Sequence, residues 1–424
     1  MNRAMFLRLS NEMIKWVIAL LTIFVLLFQS NIGAEESDTL LGPPPGSYKI
    51  MAPDGQIRIP FEMYRGDIRI MGEINGREVR MLIDNGFLWD PILFFGSPGV
   101  DSLNLNIDGT AEVSGSGDGD AVASTTASGI TISFPGVEFY DQTAIITPYS
   151  SGVAKMWHGA EGQVSATFLK HFVVDVNYDE MIITLIEPEK FEYSGIGIEV
   201  PMKHLFSNSW SIPAEIEMTD GRIVELDLAM DLGYGDALQL AEGYEHELTV
   251  PSNAIEASLG FGIQGETRGF MSRVKSVKIG SYGFDNVITA FVPEKYCDHI
   301  FHEATIGLGM LQRFNFIYDY PSHRMFLEPN KNFGEPFEYN MSGMVIRRGD
   351  GAFMQIITLY PDSPADKAGL DIGDKITRIN DRPSVDYDIW ELIPLMRQEG
   401  AAVKLTVLKD GKEKDISITL KPII

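Results

Sequence analysis

The sequence predicts a mainly β protein built from two related halves and a smaller α+β unit at the C-terminus. Three observations predict this class. One strand-and-loop pattern occurs twice, short apolar segments alternate with turn pairs such as Asn75-Gly76 and Asp220-Gly221, and helical periodicity is scarce before residue 330. The 424 residues, 45% hydrophobic and 22% charged, are enough for two or three globular domains.

The repeat consists of an apolar strand that ends in Asp-x-Gly and a closing segment far downstream. Residues 81–86 read MLIDNG and residues 228–233 read LAMDLG. Each copy closes on a similar apolar segment, 168–172 (FLKHF) in the first half and 310–314 (MLQRF) in the second. Two related halves can each direct one carboxylate, Asp84 or Asp231, toward a shared axis. Carboxylates in contact cannot both ionise easily, so such a pair shares a proton and can act as acid and base.

The N-terminus has the pattern of a secretory signal peptide. Arg3, Arg8 and Lys15 precede the apolar run 17–28, and small residues up to Ala34 follow it. The run is shorter than the ~20 residues that a membrane span needs. We therefore expect an exported protein of the periplasm or cell envelope, with an uncleaved membrane anchor as the alternative.

Charge and cysteine content exclude several classes of protein. The net charge is −25 at pH 7, which disfavours nucleic acid as a partner. Cys297 is the single cysteine, so an internal disulfide framework is excluded. Cys297, His299, His302 and Glu303 mix metal-ligand types, but their spacing matches no zinc pattern, and no metal is expected.

Turn and linker signals divide the chain after the signal peptide. A spacer with the run Gly42-Pro43-Pro44-Pro45-Gly46 occupies residues 35–56, the first half 57–190 and the second half 198–330. A polar linker follows, and the C-terminal unit occupies 338–424. In that unit we predict strands at 344–348 and 353–359, a short helix capped by Ser363, an amphipathic helix over 386–399, and a hairpin of residues 404–420.

The C-terminal unit resembles a bacterial PDZ domain. The residues that carry the resemblance are Ser363-Pro364-Ala365, Ala368-Gly369-Leu370 and Gly373-Asp374-Lys375-Ile376. The resemblance implies that a C-terminal peptide adds as a strand beside 344–348. It also implies a carboxylate-binding loop and an apolar pocket, formed by Ser342, Gly343, Met344, Val345, Ile389 and Ile393. The alternative is a packed spacer without a free groove.

Residues 57–330 resemble the tandem retropepsin-like domains that bacterial aspartyl proteases carry before a PDZ domain. The resemblance implies a bilobal, pepsin-like double β-barrel with Asp84 and Asp231 as catalytic residues and no cofactor. One aspartate would take a proton from water while the other polarises the scissile carbonyl. The Gly-rich segment 114–120 falls where the family places a flap, although a surface turn fits it equally well.

The loops around the aspartates depart from that family. Asn85 and Leu232 stand where the family has Thr or Ser beside Gly86 and Gly233. Asn85 retains a donor and an acceptor, whereas the Leu232 side chain has neither. The sequence therefore leaves two functions open, besides that of an envelope scaffold which uses neither site. One is an aspartic endopeptidase that recruits extended polypeptides and protein C-termini through its PDZ domain, and the other is a catalytically degenerate relative that only binds them.

Overall fold

The structure is a computed structural model, and it describes residues 46–424 except 65, 88–90, 118, 153, 155–158, 206, 208, 295–301, 350 and 410. The described residues belong to the second of two compact units, Pro44–Ile424. The predicted signal peptide and residues 35–45 of the predicted spacer lie outside them. No helix in the described part of the chain has the length and apolar character needed to cross a membrane.

The first half is a β-sheet that closes on itself. The strand order β2-β3-β4-β9-β5-β8-β7-β6 is closed by an additional pairing between β3 and β7, and β1 pairs with β8. The strands of this half are β1 Tyr48–Ile50, β2 Gln56–Tyr64, β3 Asp67–Ile74, β4 Arg77–Asp84, β5 Ile92–Phe95, β6 Asn106–Val113, β7 Val122–Phe134, β8 Val137–Thr147, β9 Gly162–Ser165, β10 Val173–Asn177 and β11 Ile182–Ile186.

The second half repeats this closed strand order. Its order β13-β14-β15-β20-β16-β19-β18-β17 is closed by the pairing of β14 with β18. The strands are β12 Ile198–Pro201, β13 Lys203–His204, β14 Trp210–Glu217, β15 Ile223–Met230, β16 Leu238–Ala241, β17 Ile255–Gly262, β18 Gly265–Ile279, β19 Tyr282–Val292, β20 Ala304–Ile306, β21 Phe314–Asp319 and β22 Arg324–Pro329. The internal repeat in the sequence therefore corresponds to a repeat in topology.

Strands from both halves join in one sheet. Its order is β12-β22-β21-β10-β11-β2, and the junction between the halves is the antiparallel pair β10 and β21, with Val173 opposite Asp319 and Val176 opposite Phe316. Side chains of both halves contribute to one buried cluster, which runs from Ile57 to Leu327. The two halves are therefore packed as one body.

The C-terminal unit is a separate sheet with its own core. Its strand order is β23-β24-β25-β27-β28, with β26 beside β25, so β23 lies at an edge. Fifteen buried residues, Met341 to Leu420, form that core in the described chain. The strands are β23 Met344–Arg348, β24 Met354–Leu359, β25 Lys375–Ile379, β26 Arg382–Pro383, β27 Ala402–Lys409 and β28 Lys412–Thr419.

The helices are short, as the scarcity of helical periodicity predicts. The described α-helices are α1 Pro98–Asp101, α2 Ala166–Leu169, α3 Leu308–Leu311, α4 Pro364–Lys367 and α5 Ile389–Leu395, and 3-10 turns occupy Pro188–Lys190 and Ser384–Asp386. Ser363 caps α4 as predicted, since its hydroxyl accepts from Asp366 N. The helix predicted over 386–399 is shorter than expected. Pro394 lies inside it and has no N–H for the helical hydrogen-bond ladder.

Candidate acid pair and peptide groove

The repeat brings Asp84 and Asp231 together. Asp84 ends β4, and Asp231 follows β15 and donates its backbone N–H to Ile306 O at 3.0 Å. A β-carbon added to Gly86 would lie 2.4 Å from Asp231 Cγ, and one added to Gly233 would lie 2.5 Å from Asp84 Cγ. Each loop therefore needs a glycine because the opposite carboxylate occupies the space of a side chain.

Backbone donors surround both carboxylates. Asp84 Oδ1 accepts from Gly86 N at 2.9 Å and Phe87 N at 3.0 Å, and Asp231 Oδ1 accepts from Gly233 N at 2.7 Å. Burial raises the pKa of Asp84, although its hydrogen bonds oppose the change. Burial, and secondly the charge of Asp84, raise the pKa of Asp231 to about 7. The two carboxyl groups also share a hydrogen bond, so chemically they can hold one proton between them over the neutral range.

Asn85 fastens the two loops to each other. Its Oδ1 accepts a hydrogen bond from Leu232 N at 2.6 Å, and its side chain also contacts the hydroxyls of Tyr318 and Tyr320. Leu232 contributes its backbone N–H, while its side chain is 1% exposed and packs in the shared core. The chain thus keeps a cross-loop hydrogen bond although one of the two loops has no polar side chain at this position.

Gln163, which the sequence analysis did not single out, is also part of the site. It lies on β9 directly beside β4, is 4% exposed, and donates from Nε2 to Asp84 Oδ2 at 2.6 Å. The sequence has no signal that singles out Gln163, because its contact with Asp84 depends on the pairing of β9 with β4.

Two hairpin tips, one from each half, bind each other. Residues 114–121, described except for 118, connect β6 to β7, and Gln264 lies in the turn between β17 and β18. Gln264 accepts from Gly115 N at 2.8 Å through Oε1 and donates to Gly119 O at 2.7 Å through Nε2. Two backbone hydrogen bonds join the same tips. Gly119 N donates to Gln264 O at 2.9 Å, and Gln264 N donates to Ser116 O at 3.0 Å. The segment predicted as a flap is therefore half of a paired structure.

The second hairpin tip also places an apolar side chain in the first half. Ile263 is buried in a cluster with Leu82, Leu93, Phe95 and Val113, and Phe87 packs against that cluster. Phe87 follows the Asp84 loop, so the tip of the second half contacts the region next to the acid pair. The Gly-rich run 260–265 gave a sequence signal for this tip, since it occupies the repeat position of 114–120.

The predicted peptide-groove residues lie around edge strand β23. Ser342, Gly343 and Met344 are buried in the loop and at the strand start, Val345 is half-buried on the strand, and Ile393 is half-buried on α5. Ile389 begins α5, and its side chain lies outside the described part. Ser342 N donates to Asn340 Oδ1 at 3.0 Å, and Met344 N donates to Ser342 Oγ at 3.2 Å. Two of the three predicted N–H donors are thus already hydrogen-bonded.

The predicted absence of a metal stays a prediction at Cys297 and His299, which lie outside the described residues. His302 and Glu303 have separate partners. His302 Nε2 lies 3.3 Å from Ser209 Oγ, and Glu303 Oε2 lies 2.7 Å from His246 Nδ1. Within the described residues, no three His, Cys, Asp or Glu side chains are grouped as metal ligands.

Comparison with protein families identifies the C-terminal unit. Residues 355–409 match the PDZ domain family. The C-terminal unit is a PDZ domain. The match begins inside β24 and ends with β27, so it covers the middle of the domain's sheet and helix α5.

Two curated proteins with serine-protease names are similar to part of the chain. A probable CtpA-like serine protease of Staphylococcus haemolyticus is 33% identical over 124 residues, which are 27% of this chain and 23% of that protein. A probable periplasmic serine endoprotease of DegP-like type from Pseudomonas fluorescens is 32% identical over 97 residues, 23% of this chain and 18% of that protein. The chain spans about a fifth of the length of these relatives.

These comparisons contradict the prediction of an aspartic peptidase. The relatives named above carry the names of probable serine proteases, and the resemblance to aspartyl proteases finds no support among them. The predicted peptide-bond hydrolysis by Asp84 and Asp231 is therefore wrong on these comparisons. The association of a PDZ domain with polypeptide recognition is retained.

The Ser209–His302 contact does not build a serine-protease site. Ser209 is 4% exposed, so its hydroxyl lies beneath the surface, where a substrate carbonyl does not reach it. Burial lowers the pKa of His302 to about 4. A base with so low a pKa accepts a proton from a serine weakly. We read this pair as a packing contact.

Proposed function

We propose that the protein is an exported polypeptide-capture protein whose PDZ domain binds the C-terminal segment of its target. The observation that carries the proposal is the PDZ match on a domain whose strand β23 lies at the edge of its sheet. An exposed strand edge offers unpaired N–H and C=O groups, so an extended chain can add to it as a further strand. The name of the periplasmic relative and the pattern of residues 1–34 support export.

The groove is proposed to open by exchange of hydrogen bonds. A ligand carboxylate would replace Asn340 Oδ1 at Ser342 N and Ser342 Oγ at Met344 N, and Gly343 N would complete the loop. The Gly343 carbonyl is held from the other side by Tyr360 N at 2.8 Å, which supports a fixed loop backbone. Val345, Ile389 and Ile393 would contact the last side chain of the ligand. Charge-assisted hydrogen bonds are stronger than the neutral ones they replace, so the exchange favours binding.

The body is proposed to bind an extended part of the same polypeptide. In this proposal its two halves are retropepsin-like, which the repeated strand order supports. Asp84 and Asp231 would contact the backbone of the ligand, since a pair with one proton offers both an acceptor for N–H and a donor for C=O. Two contacts on one chain raise the effective concentration at the second site once the first is occupied.

The test measures binding of short peptides with randomised C-terminal residues to the full chain by fluorescence polarisation. We expect free-acid peptides to bind and the same peptides with amidated C-termini to bind at least about tenfold more weakly. Val345→Glu and Ile393→Glu should each weaken the binding of free-acid peptides by a similar factor, at least about tenfold. Ile357→Glu, at an exposed position of β24, is the matched control and should leave affinity unchanged. Equal affinity for acid and amide would contradict the proposal.

A mass-spectrometric arm uses the same mixtures to examine hydrolysis. We expect the peptides to be recovered intact from acidic to neutral pH. Products formed by the parent protein and missing from the Asp84→Asn, Asp231→Asn double variant would contradict a purely binding role. Products that persist in the double variant would point to a contaminating protease.

A further inference from the structure

The two halves of the body differ at one register position beside the acid pair. On β9, Gln163 pairs with Leu82, two residues before Asp84. On β20, Thr305 pairs with Ala229, two residues before Asp231. The repeat therefore places Gln163 and Thr305 at equivalent sites. A glutamine side chain is longer than that of threonine and ends in an amide, so only the first half carries a long N–H donor there.

The Gln163 amide determines what Asp84 can do. Nε2 is only a donor, and it lies 2.6 Å from Asp84 Oδ2. Since Oδ1 already accepts from Gly86 N and Phe87 N, both oxygens of Asp84 act as acceptors. An ionised carboxylate is an acceptor only, whereas a protonated one must present an O–H. The surroundings of Asp84 therefore match the anion.

Asp231 has fewer donors. The backbone N–H groups of Gly233 and Tyr234 face it, and among the described residues the remaining hydrogen bond is the one to Asp84. With Asp84 restricted to accepting, that bond needs its proton on Asp231. This assigns the shared proton, which the symmetric repeat in the sequence leaves open.

We infer that Gln163 is a positioning residue that keeps the negative charge on Asp84 and the shared proton on Asp231. The inference rests on the proposed role of the acid pair as a contact for a bound chain and adds a direction to it. A bound chain would take over the hydrogen bond between the two carboxyl groups. The O–H of Asp231 would then donate to a ligand C=O, and the Asp84 oxygen that it leaves would accept from a ligand N–H. An extended polypeptide would consequently bind in one of its two orientations.

Other titratable groups near the pair do not account for this asymmetry. Tyr234 and Tyr318 are the further groups whose charge would act on Asp231, and burial raises the pKa of both. Both are therefore neutral at physiological pH. Asp236 acts on Tyr234, and burial raises the pKa of this carboxyl as well.

The test is a carboxyl ¹³C NMR titration of the full chain labelled at aspartate, with the signals assigned through Asp84→Asn and Asp231→Asn. In the parent we expect Asp84 to lose its proton first and Asp231 to titrate near pH 7. Gln163→Leu should raise the lower midpoint of the pair by about one pH unit, because the ionised Asp84 carboxylate loses the hydrogen bond that Gln163 donates to it. Thr305→Val, at the equivalent position, should move neither midpoint.

Four outcomes decide the inference. A raised lower midpoint in Gln163→Leu supports it, and a lowered upper midpoint in Thr305→Gln supports it further. An unchanged lower midpoint in a variant with parental circular dichroism overturns it, as does a parent in which Asp231 ionises first. Gln163→Met, closer in size, replaces Gln163→Leu if the latter does not fold. The titration uses no ligand, so failed peptide binding leaves this result intact.

Discussion

Asn85 Oδ1 accepts a hydrogen bond from the backbone N–H of Leu232 across the junction of the two halves, at 2.6 Å. Both residues are buried, at 5% and 1% exposure. A side chain of one loop thus satisfies the main chain of the other, and neither loop can move without leaving a polar group unpaired.

Replacement of Asn85 by Ala should destabilise the protein by about 1–3 kcal/mol, because the Leu232 N–H would remain buried without its acceptor. The measurement is urea unfolding followed by tryptophan fluorescence. Asn106→Ala, on exposed strand β6, is the control and should have little effect. Equal stability of the two variants would show that water replaces Asn85 at this position.

The stability of the protein should fall as the pH rises toward neutrality. The pKa of Asp231 is about 7 in the folded protein, well above the ~3.9 of an unfolded aspartate, so the folded state binds the proton more tightly. The stabilisation that comes from this tighter proton binding is fully present below about pH 4 and is lost as the pH rises past 7. Asp231→Asn should flatten the dependence of the unfolding free energy on pH in that window.

Asp175 also titrates in this pH range. Burial, with the charges of Glu328 and Glu180, raises its pKa to about 6, so its titration likewise makes the free energy of unfolding fall as the pH rises. Since Asp175 is present in the parent and in Asp231→Asn, the difference between their unfolding free energies at each pH reports on the coupled pair of Asp84 and Asp231. Identical slopes would mean that Asp231 is ionised throughout the range.

Gln264→Ala should separate the two hairpin tips. The variant loses the side-chain hydrogen bonds to Gly115 N and Gly119 O, and we expect hydrogen exchange in 114–120 and 262–265 to rise about tenfold. Peptide-resolved mass spectrometry measures this. Gln355→Ala, which removes one hydrogen bond in the PDZ domain, should leave both tips protected. Unchanged hydrogen exchange in Gln264→Ala would show that the backbone hydrogen bonds of Gln264 with Ser116 and Gly119 are enough to hold the two tips together.

Arg313 is expected to fix the linker that leads to the PDZ domain. Its guanidinium donates to Gly309 O at 3.1 Å, Asn332 O at 3.3 Å, Pro336 O at 3.2 Å and Glu335 O, and it stacks on Phe337. Arg313→Met should speed thermolysin cleavage within 330–339 and cost at least about 2 kcal/mol of stability. Exposed Arg268→Met is the control. A linker that stays resistant in Arg313→Met would contradict this role.

The sequence predicted strand content and the pairing of the halves because apolar periodicity and turn residues are local signals. It predicted Asp84 and Asp231 as neighbours because the repeat implies a common axis. The sequence does not show the role of Leu232, because this residue contributes its main-chain N–H and not its side chain. Gln163 escaped notice because its role depends on which strands lie side by side. The predicted aspartic-peptidase function is wrong, because it rests on the resemblance of the halves, whereas the similar curated proteins are named as probable serine proteases.

The pairing of β10 with β21 has a consequence for synthesis of the chain on the ribosome. The outer edge of β10 is complete by residue 177, but its partner is made only with residues 314–319. Until then the nascent first half presents an open, apolar strand edge, of the kind that recruits other chains. Translation that stalls or terminates between these points should yield aggregation-prone fragments. For this protein, the hazardous interval is the time needed to add residues 178–319, after which the junction can close.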